Sequence, residues 1–259
     1  LPPSTAPGLY ILLAEDNRVN QDVAQAILAK AGHRVDIAEN GKRAVEAVRR
    51  NAYDVILMDV QMPELDGIEA VRRIRALPPP LCAVHIIAMT ANAMAGARDE
   101  YLSAGMDDYI CKPIQPQQLL GKLAGLAPIE QGQASDQSDG LLLDEDNLDD
   151  LKEAVEADKT IEFIDVFLSD ADERLAQIGV AIEGGDFESV RRCAHSLVSM
   201  AGTFGAIEMS GLARRVERAA KSGDGDALGL LAAQLVACGA KTGVALRDWI
   251  ARNRSVGVN

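Results

Sequence analysis

The sequence has 259 residues, with 39 acidic and 26 basic side chains, a net charge of -13, 48% hydrophobic residues and only 3% aromatics. That length and hydrophobic content accommodate two ordinary domains. With no basic surplus and few aromatic rings, the chain offers neither a phosphate-tracking groove nor a base-stacking platform, which argues against nucleic-acid binding.

The charge is uneven along the chain. Residues 127–150 hold eight acids and no base, whereas 1–126 hold 15 acids and 13 bases and 151–259 hold 16 and 13. Residues 1–8, Leu-Pro-Pro-Ser-Thr-Ala-Pro-Gly, read as a linker with neither a start Met nor a signal-peptide core, so the chain reads as a fragment. From residue 9 to 126 short apolar runs alternate with amphipathic stretches. Strands are expected at Leu9–Ala14, Arg34–Ala38, Asp54–Met58, Val84–Met89 and Asp108–Cys111. Helices are expected near 18–31, 41–51, 66–76, 94–104 and 116–125, with Gly32 and Gly105 at helix C-termini where a left-handed backbone suits glycine. Five such units predict an α/β domain, a parallel doubly wound sheet whose functional crevice lies at the carboxyl ends of its strands.

Residues 127–142, rich in Gly, Ser, Gln and Asp, read as a flexible acidic linker with an r.m.s. span of about 20–24 Å. From 143 to 254 no strand is expected. Ile161, Ile164, Leu168, Ala171, Leu175, Ile178 and Ile182 form one helical seam, and Val190, Ala194, Leu197 and Ala201 form a second. Met209, Leu212, Val216 and Ala219 form a third, and a fourth helix runs from about Asp226 to Ala251. Short Gly-Asp breaks predict an antiparallel four-helix bundle, with a short helix over Asp144–Ala157 crossing one end. Leu228–Ala240 is shorter than the roughly 18 residues of a membrane span and is interrupted by Gln234, so no direct membrane contact is expected. Cys82, Cys111, Cys193 and Cys238 form no paired motif and read as reduced packing residues. A cytoplasmic chain follows, any membrane anchor belonging to a longer parent.

At the strand ends of the first domain, Glu15, Asp16, Asp59, Thr90 and Lys112 converge on one edge of the sheet. Two carboxylates about 4 Å apart repel by roughly 4 kcal/mol at an effective dielectric near 20, so three of them require protonation, a lysine or a metal. Mg2+ suits such oxygen donors and bridges to phosphate. A carboxylate flanked by a cation, a lysine and a hydroxyl is equipped for phosphoryl transfer.

The segments Ala14-Glu15-Asp16-Asn17, Val55-Ile-Leu-Met-Asp59-Val-Gln-Met-Pro63, Met89-Thr90-Ala91 and Lys112-Pro113 resemble the receiver domains of two-component signalling. The resemblance implies Asp59 as phosphoacceptor, Asp16 and the Gln61 carbonyl as Mg2+ ligands, and Glu15 acting largely through water. It further implies Thr90 and Lys112 as phosphate contacts, Tyr109 as the switch aromatic, and a cis peptide at Lys112-Pro113. Haloacid-dehalogenase-type phosphatases also place an Asp after an apolar strand, but they want a second Asp two residues on, where this chain has Gln61.

Of three histidines, His33 in a turn and His85 opening a buried strand read as structural. His195 lies just off the seam of the second bundle helix, one turn from Arg191, Arg192 and Ser199, which places it in solvent on a positive patch. A neutral imidazole is a competent nucleophile. The string Ala194-His195-Ser-Leu-Val-Ser-Met-Ala-Gly-Thr-Phe-Gly205-Ala206 resembles the histidine phosphotransfer (HPt) signature. Two positions depart from it: Val198 stands where the family usually has Lys, and Ser199 where it commonly has Gly. Arg191 or Arg192 is then expected to substitute for the lysine, and Glu217, 22 residues on, to orient the ring.

Together these features predict a phosphorelay fragment, the carboxyl-terminal part of a hybrid sensor histidine kinase. Phosphate would pass from a kinase core, acting in cis or in trans, to Asp59, then to His195, then to a downstream response regulator. Neither the Asn-rich nor the Gly-rich boxes of an ATP-binding core occur, so the chain alone is not expected to use ATP. The alternative is a docking module with a catalytically weak bundle, in which Val198 belongs to an apolar contact face.

Overall fold

A computed structural model describes residues 8–91, 97–125 and 141–254. The leading segment 1–7, the start of the helix expected at 94–104 and residues 127–140 of the expected linker lie outside the described residues. The chain divides into two compact units, separated between residues 129 and 130.

The first unit runs β1 (Tyr10–Ala14), α1 (Arg18–Lys30), β2 (Arg34–Ala38), α2 (Gly41–Arg50), β3 (Val55–Asp59), α3 (Gly67–Arg75), β4 (His85–Thr90), α4 (Ala97–Ala104), β5 (Asp108–Cys111) and α5 (Pro116–Gly125). All four neighbouring pairs are parallel, in the order β2-β1-β3-β4-β5. Chain direction across the sheet reverses between β1 and β3, the topological position where α/β sheets open a crevice. The inner strands read as continuous apolar runs because helices cover both faces: Ile11–Leu13, Val55–Met58 and Ile86–Met89 are all buried.

Two strands begin one residue later than their expected starts and run one residue further. Asp54 uses its carboxylate to accept the Tyr10 N–H at 2.7 Å instead of joining β3. Asp59 stays in register with Met89, and its neighbour Val60 still donates to the Met89 carbonyl, so the strand carries Asp59 to the crevice. Asn17, Asn40 and Asp66 cap the following helices by accepting the N–H three residues on. A Cβ at Gly67 would collide with the Asp59 carbonyl, so α3 starts hard against the end of β3 only because glycine stands there. His33 accepts the Leu9 N–H at 3.1 Å and His85 lies 3.8 Å from Asp107, both away from the crevice.

The second unit comprises α6 (Glu145–Val155), α7 (Ala157–Glu183), α8 (Phe187–Thr203), α9 (Ile207–Ser222) and α10 (Gly225–Arg254). Helices α7 to α10 close a ring in which α8 packs on α7 and α9, and α10 on the same two from the other side. Phe167 and Phe204 stack at 4.9 Å within it, and Trp249 is fully buried. α6 crosses one end, where Asn147 donates to the carbonyls of Gly202 and Thr203 and satisfies the last turn of α8. Gly205 follows in a left-handed conformation (φ 67°), and a side chain there would strike the Asp144 backbone. α10 is apolar and long enough, by length and composition, to cross a membrane. Its Leu228, Leu235, Cys238, Leu246 and Trp249 are nevertheless buried in the bundle, as expected of an amphipathic core helix.

Candidate functional site

The end of β1 delivers Glu15 and Asp16, the end of β3 delivers Asp59, and β5 hands over to Lys112. Carboxylate oxygens of Glu15, Asp16 and Asp59 lie within 4.8 Å of one another. Lys112 Nζ donates to Asp59 Oδ2 and to Glu15 Oε2, each at 2.6 Å, and these three side chains are at most 3% exposed. Asp59 Oδ1 accepts the Gln61 N–H at 3.0 Å, so both oxygens of the central carboxylate are oriented. Asp16 is exposed at the mouth.

Burial pushes the Glu15 carboxyl above its ordinary value, Lys112 pulls it down and Asp59 pushes it up again. Burial by itself would lower the Lys112 amine, but the Asp59 and Glu15 carboxylates outweigh it and hold the lysine well above its usual range. One ammonium among three carboxylates leaves an excess of negative charge. The donors are hard oxygens around a partly open position, a set that fits Mg2+.

Thr90 ends β4, and its hydroxyl lies 2.8 Å from the phenol of Tyr101, a residue of α4 that is itself buried. Tyr109, on β5, is half-buried with the Lys122 ammonium 5.6 Å from its ring centre. Lys112-Pro113 is cis. Three residues here escaped the sequence reading. Asn20 donates to Glu15 Oε1 at 2.9 Å and Gln21 to the Glu15 carbonyl at 2.6 Å; the third is Tyr101. A signal existed for the first two, since polar side chains in the first turn of an otherwise apolar helix face point back toward the strand end.

The second site lies on the bundle. His195 Nδ1 stands 2.9 Å from Glu217 Oε1, joining α8 to α9, with the two side chains 15% and 20% exposed. The imidazole is therefore largely covered and already partnered, rather than free in solvent. Arg191 gives its guanidinium to Glu188 in two hydrogen bonds, and Arg192 donates to Ser189, so neither is committed to His195. Val198 and Ser199 require correction. They are only 3% and 5% exposed, because the second half of α8 is enclosed on all sides, and Ser210 donates to the Val198 carbonyl from α9. Neither belongs to a surface patch, and the apolar contact face assigned to Val198 does not exist at that position.

With this geometry in view, comparison with known proteins is direct. Residues 11–124 match the response regulator receiver domain family, and residues 162–252 match the Hpt domain family. The chain is thus a receiver domain followed by an Hpt domain, a two-component phosphorelay module. Two-component system protein A of Emericella nidulans is 48% identical over 120 residues, covering 45% of this chain and 17% of that protein. Probable histidine kinase 1 of Oryza sativa subsp. indica is 39% identical over 139 residues, 42% of this chain and 14% of that one. The chain therefore spans only a small part of these relatives. Among solved structures, the receiver domain of a Pseudomonas aeruginosa sensor histidine kinase is 47% identical and covers 45% of this chain and 94% of that one, with a TM-score of 0.42; it is described with magnesium in its active-site cleft.

Proposed function

We propose that Asp59 accepts a phosphoryl group from a kinase phosphohistidine and that His195 takes it onward to the receiver domain of a downstream response regulator. The parent would be a hybrid sensor histidine kinase with these two domains in the cytoplasm. The observation that supports this most is the buried Asp59 carboxylate, oriented through one oxygen by Lys112 and through the other by the Gln61 N–H.

In the first transfer an Asp59 oxygen attacks phosphorus, the donor N–P bond breaks, and the imidazole leaves with the electron pair. Lys112 is placed to shift from the carboxylate to the oxygens of the incoming group, and the Thr90 hydroxyl to donate to one of them. Asp16, Asp59 and the Gln61 carbonyl, with Glu15 through water, would hold Mg2+, whose charge would offset that of the transferring group. In the second transfer His195 Nε2 attacks the acyl phosphate and the Asp59 O–P bond breaks. Glu217 accepts the Nδ1–H, which keeps the lone pair on Nε2 and stabilises the positive charge that develops on the ring.

Acetyl phosphate with Mg2+ should therefore give two kinds of label on the full chain, a base-labile acyl phosphate on Asp59 and an acid-labile phosphate on His195. Asp59→Asn should remove both, and His195→Gln only the second. Label that survives Asp59→Asn, or that a chelator leaves untouched, would overturn the site.

A further inference from the structure

The Thr90 hydroxyl is engaged from an unexpected direction. Tyr101 belongs to α4, eleven residues further along the chain, and its phenol oxygen reaches back to Thr90 Oγ1 at 2.8 Å, while the residue is part of the buried cluster of the first unit that also holds Ile86, Ala88 and Met106. Backbone bonds fix the helix at this point: Met106 N–H donates to the Tyr101 carbonyl, and Gly105 gives its carbonyl to the Arg75 guanidinium, which also binds the Cys82 and Val84 carbonyls and Asp107. Tyr101 is therefore held by its surroundings. Burial keeps the phenol above its ordinary value, against the opposing pull of the Thr90 bond, so it stays neutral and able to donate or accept.

We infer that Tyr101 is a positioning residue that retains the Thr90 hydroxyl in the unphosphorylated receiver, so that phosphorylation of Asp59 draws on Thr90 only by loosening its bond to α4. The inference rests on the phosphoacceptor reading of Asp59 and goes beyond it. A threonine hydroxyl has one proton to donate. When that proton goes to a phosphoryl oxygen, it is no longer available to Tyr101. The bond then survives only with the phenol as donor, and otherwise breaks. Either way the state of Asp59 reaches α4 through Tyr101, a route separate from Tyr109, whose ring lies beside Lys122.

A double-mutant cycle tests this on the full chain, using beryllofluoride with Mg2+ as a phosphoryl mimic and reading its dissociation constant. Tyr101→Phe keeps the ring and removes only the hydroxyl, so it should tighten beryllofluoride binding by about twofold to tenfold, the worth of one neutral hydrogen bond. In a Thr90→Ala background the same change should have no effect, because nothing is left to retain. Equal tightening in both backgrounds would mean that Tyr101 acts through packing, and no tightening with Thr90 present would mean that it retains nothing; each overturns the inference alone. A wild-type chain that binds the mimic but takes no acetyl-phosphate label on Asp59 overturns the phosphoacceptor reading, and the inference with it.

Discussion

The two domains solve the same chemical problem in opposite ways. In the receiver, Asp59, the proposed phosphoacceptor, is buried with a second acid and a lysine at the ends of separate strands, and the hydrogen bonds of the sheet fix their spacing. In the Hpt domain, the imidazole sits on one helix, and among the described residues the polar partner recorded for its ring is Glu217 on the next helix. A site assembled from strand ends has its geometry set by the whole sheet, so its charges can be held close at high electrostatic cost. A site on a helix face needs only one neighbour and keeps part of its surface open. On the proposed reading, the receiver would form an acyl phosphate inside this charged cluster, and the Hpt domain would present one ring nitrogen to it.

The largest effects that sharpen this contrast come from moving a lysine out of one domain or into the other. Lys112→Met would leave Glu15 and Asp59 buried without their counter-charge, at a cost of about 3–5 kcal/mol to the receiver. Val198→Lys would place an ammonium where the side chain is 3% exposed, and should destabilise the bundle by about 3 kcal/mol or more without speeding transfer to His195. Both can be followed in one molecule. All four tyrosines, Tyr10, Tyr53, Tyr101 and Tyr109, lie in the first unit and Trp249 lies in the second, so near-ultraviolet tyrosine signals and tryptophan fluorescence report the two unfolding transitions separately. A Val198→Lys chain that keeps its tryptophan transition and transfers phosphate faster would show that this position is open after all.

Much of this architecture was legible in the sequence because its signals are local. The alternation of apolar runs with amphipathic stretches sets the α/β order of the first unit, and three-four spacing sets the helices of the second. The carboxylates could be grouped because each stands at the end of an apolar run. What could not be read depended on approach between distant segments. Tyr101 meets Thr90 because α4 folds over the end of β4, and nothing in its helical pattern marks it as more than core. Val198 is hidden because Ala194, Leu197 and Ala201 define only one seam, whereas the lower half of α8 is also covered by α9 and closed by α6. Periodicity identifies the face that must be buried, but not a helix buried on every side.

A smaller effect concerns Glu217. Truncation to alanine would release the imidazole from a hydrogen bond to a charged acceptor, worth about 1.5–3 kcal/mol when fully made and less at this exposure. Phosphate transfer from Asp59 to His195 should fall by about tenfold in Glu217→Ala. Glu217→Gln retains an oxygen acceptor for the Nδ1–H and should recover most of the rate, whereas the receiver's own labelling should not change in either variant. A rate unaffected by Glu217→Ala would break the proposed asymmetry, since the imidazole would then need no orienting neighbour.

The smallest expected effect is a pH-dependent stabilisation by Mg2+ confined to the receiver. The Glu15 carboxyl is raised, first by burial and then by Asp59 against the pull of Lys112. A group whose folded value lies above its unfolded value, near 4.3 for Glu, contributes stability that is complete below that value and is lost as pH rises through the folded one. As pH rises the metal-free receiver therefore loses this contribution and carries more of the repulsion of its carboxylates. Mg2+ bound there would relieve that repulsion, while at lower pH a proton on Glu15 would compete with it. At a fixed concentration ten times its dissociation constant at pH 7.5, the ion should stabilise the receiver there by about 1.4 kcal/mol. The resulting rise in the tyrosine-detected unfolding temperature should be larger at pH 7.5 than at pH 5, and the tryptophan-detected transition of the bundle should not move at either pH. Equal shifts at the two pH values would remove Glu15 from the metal site, and a shift of the bundle would mean that the ion stabilises the chain by some route other than the receiver's acids.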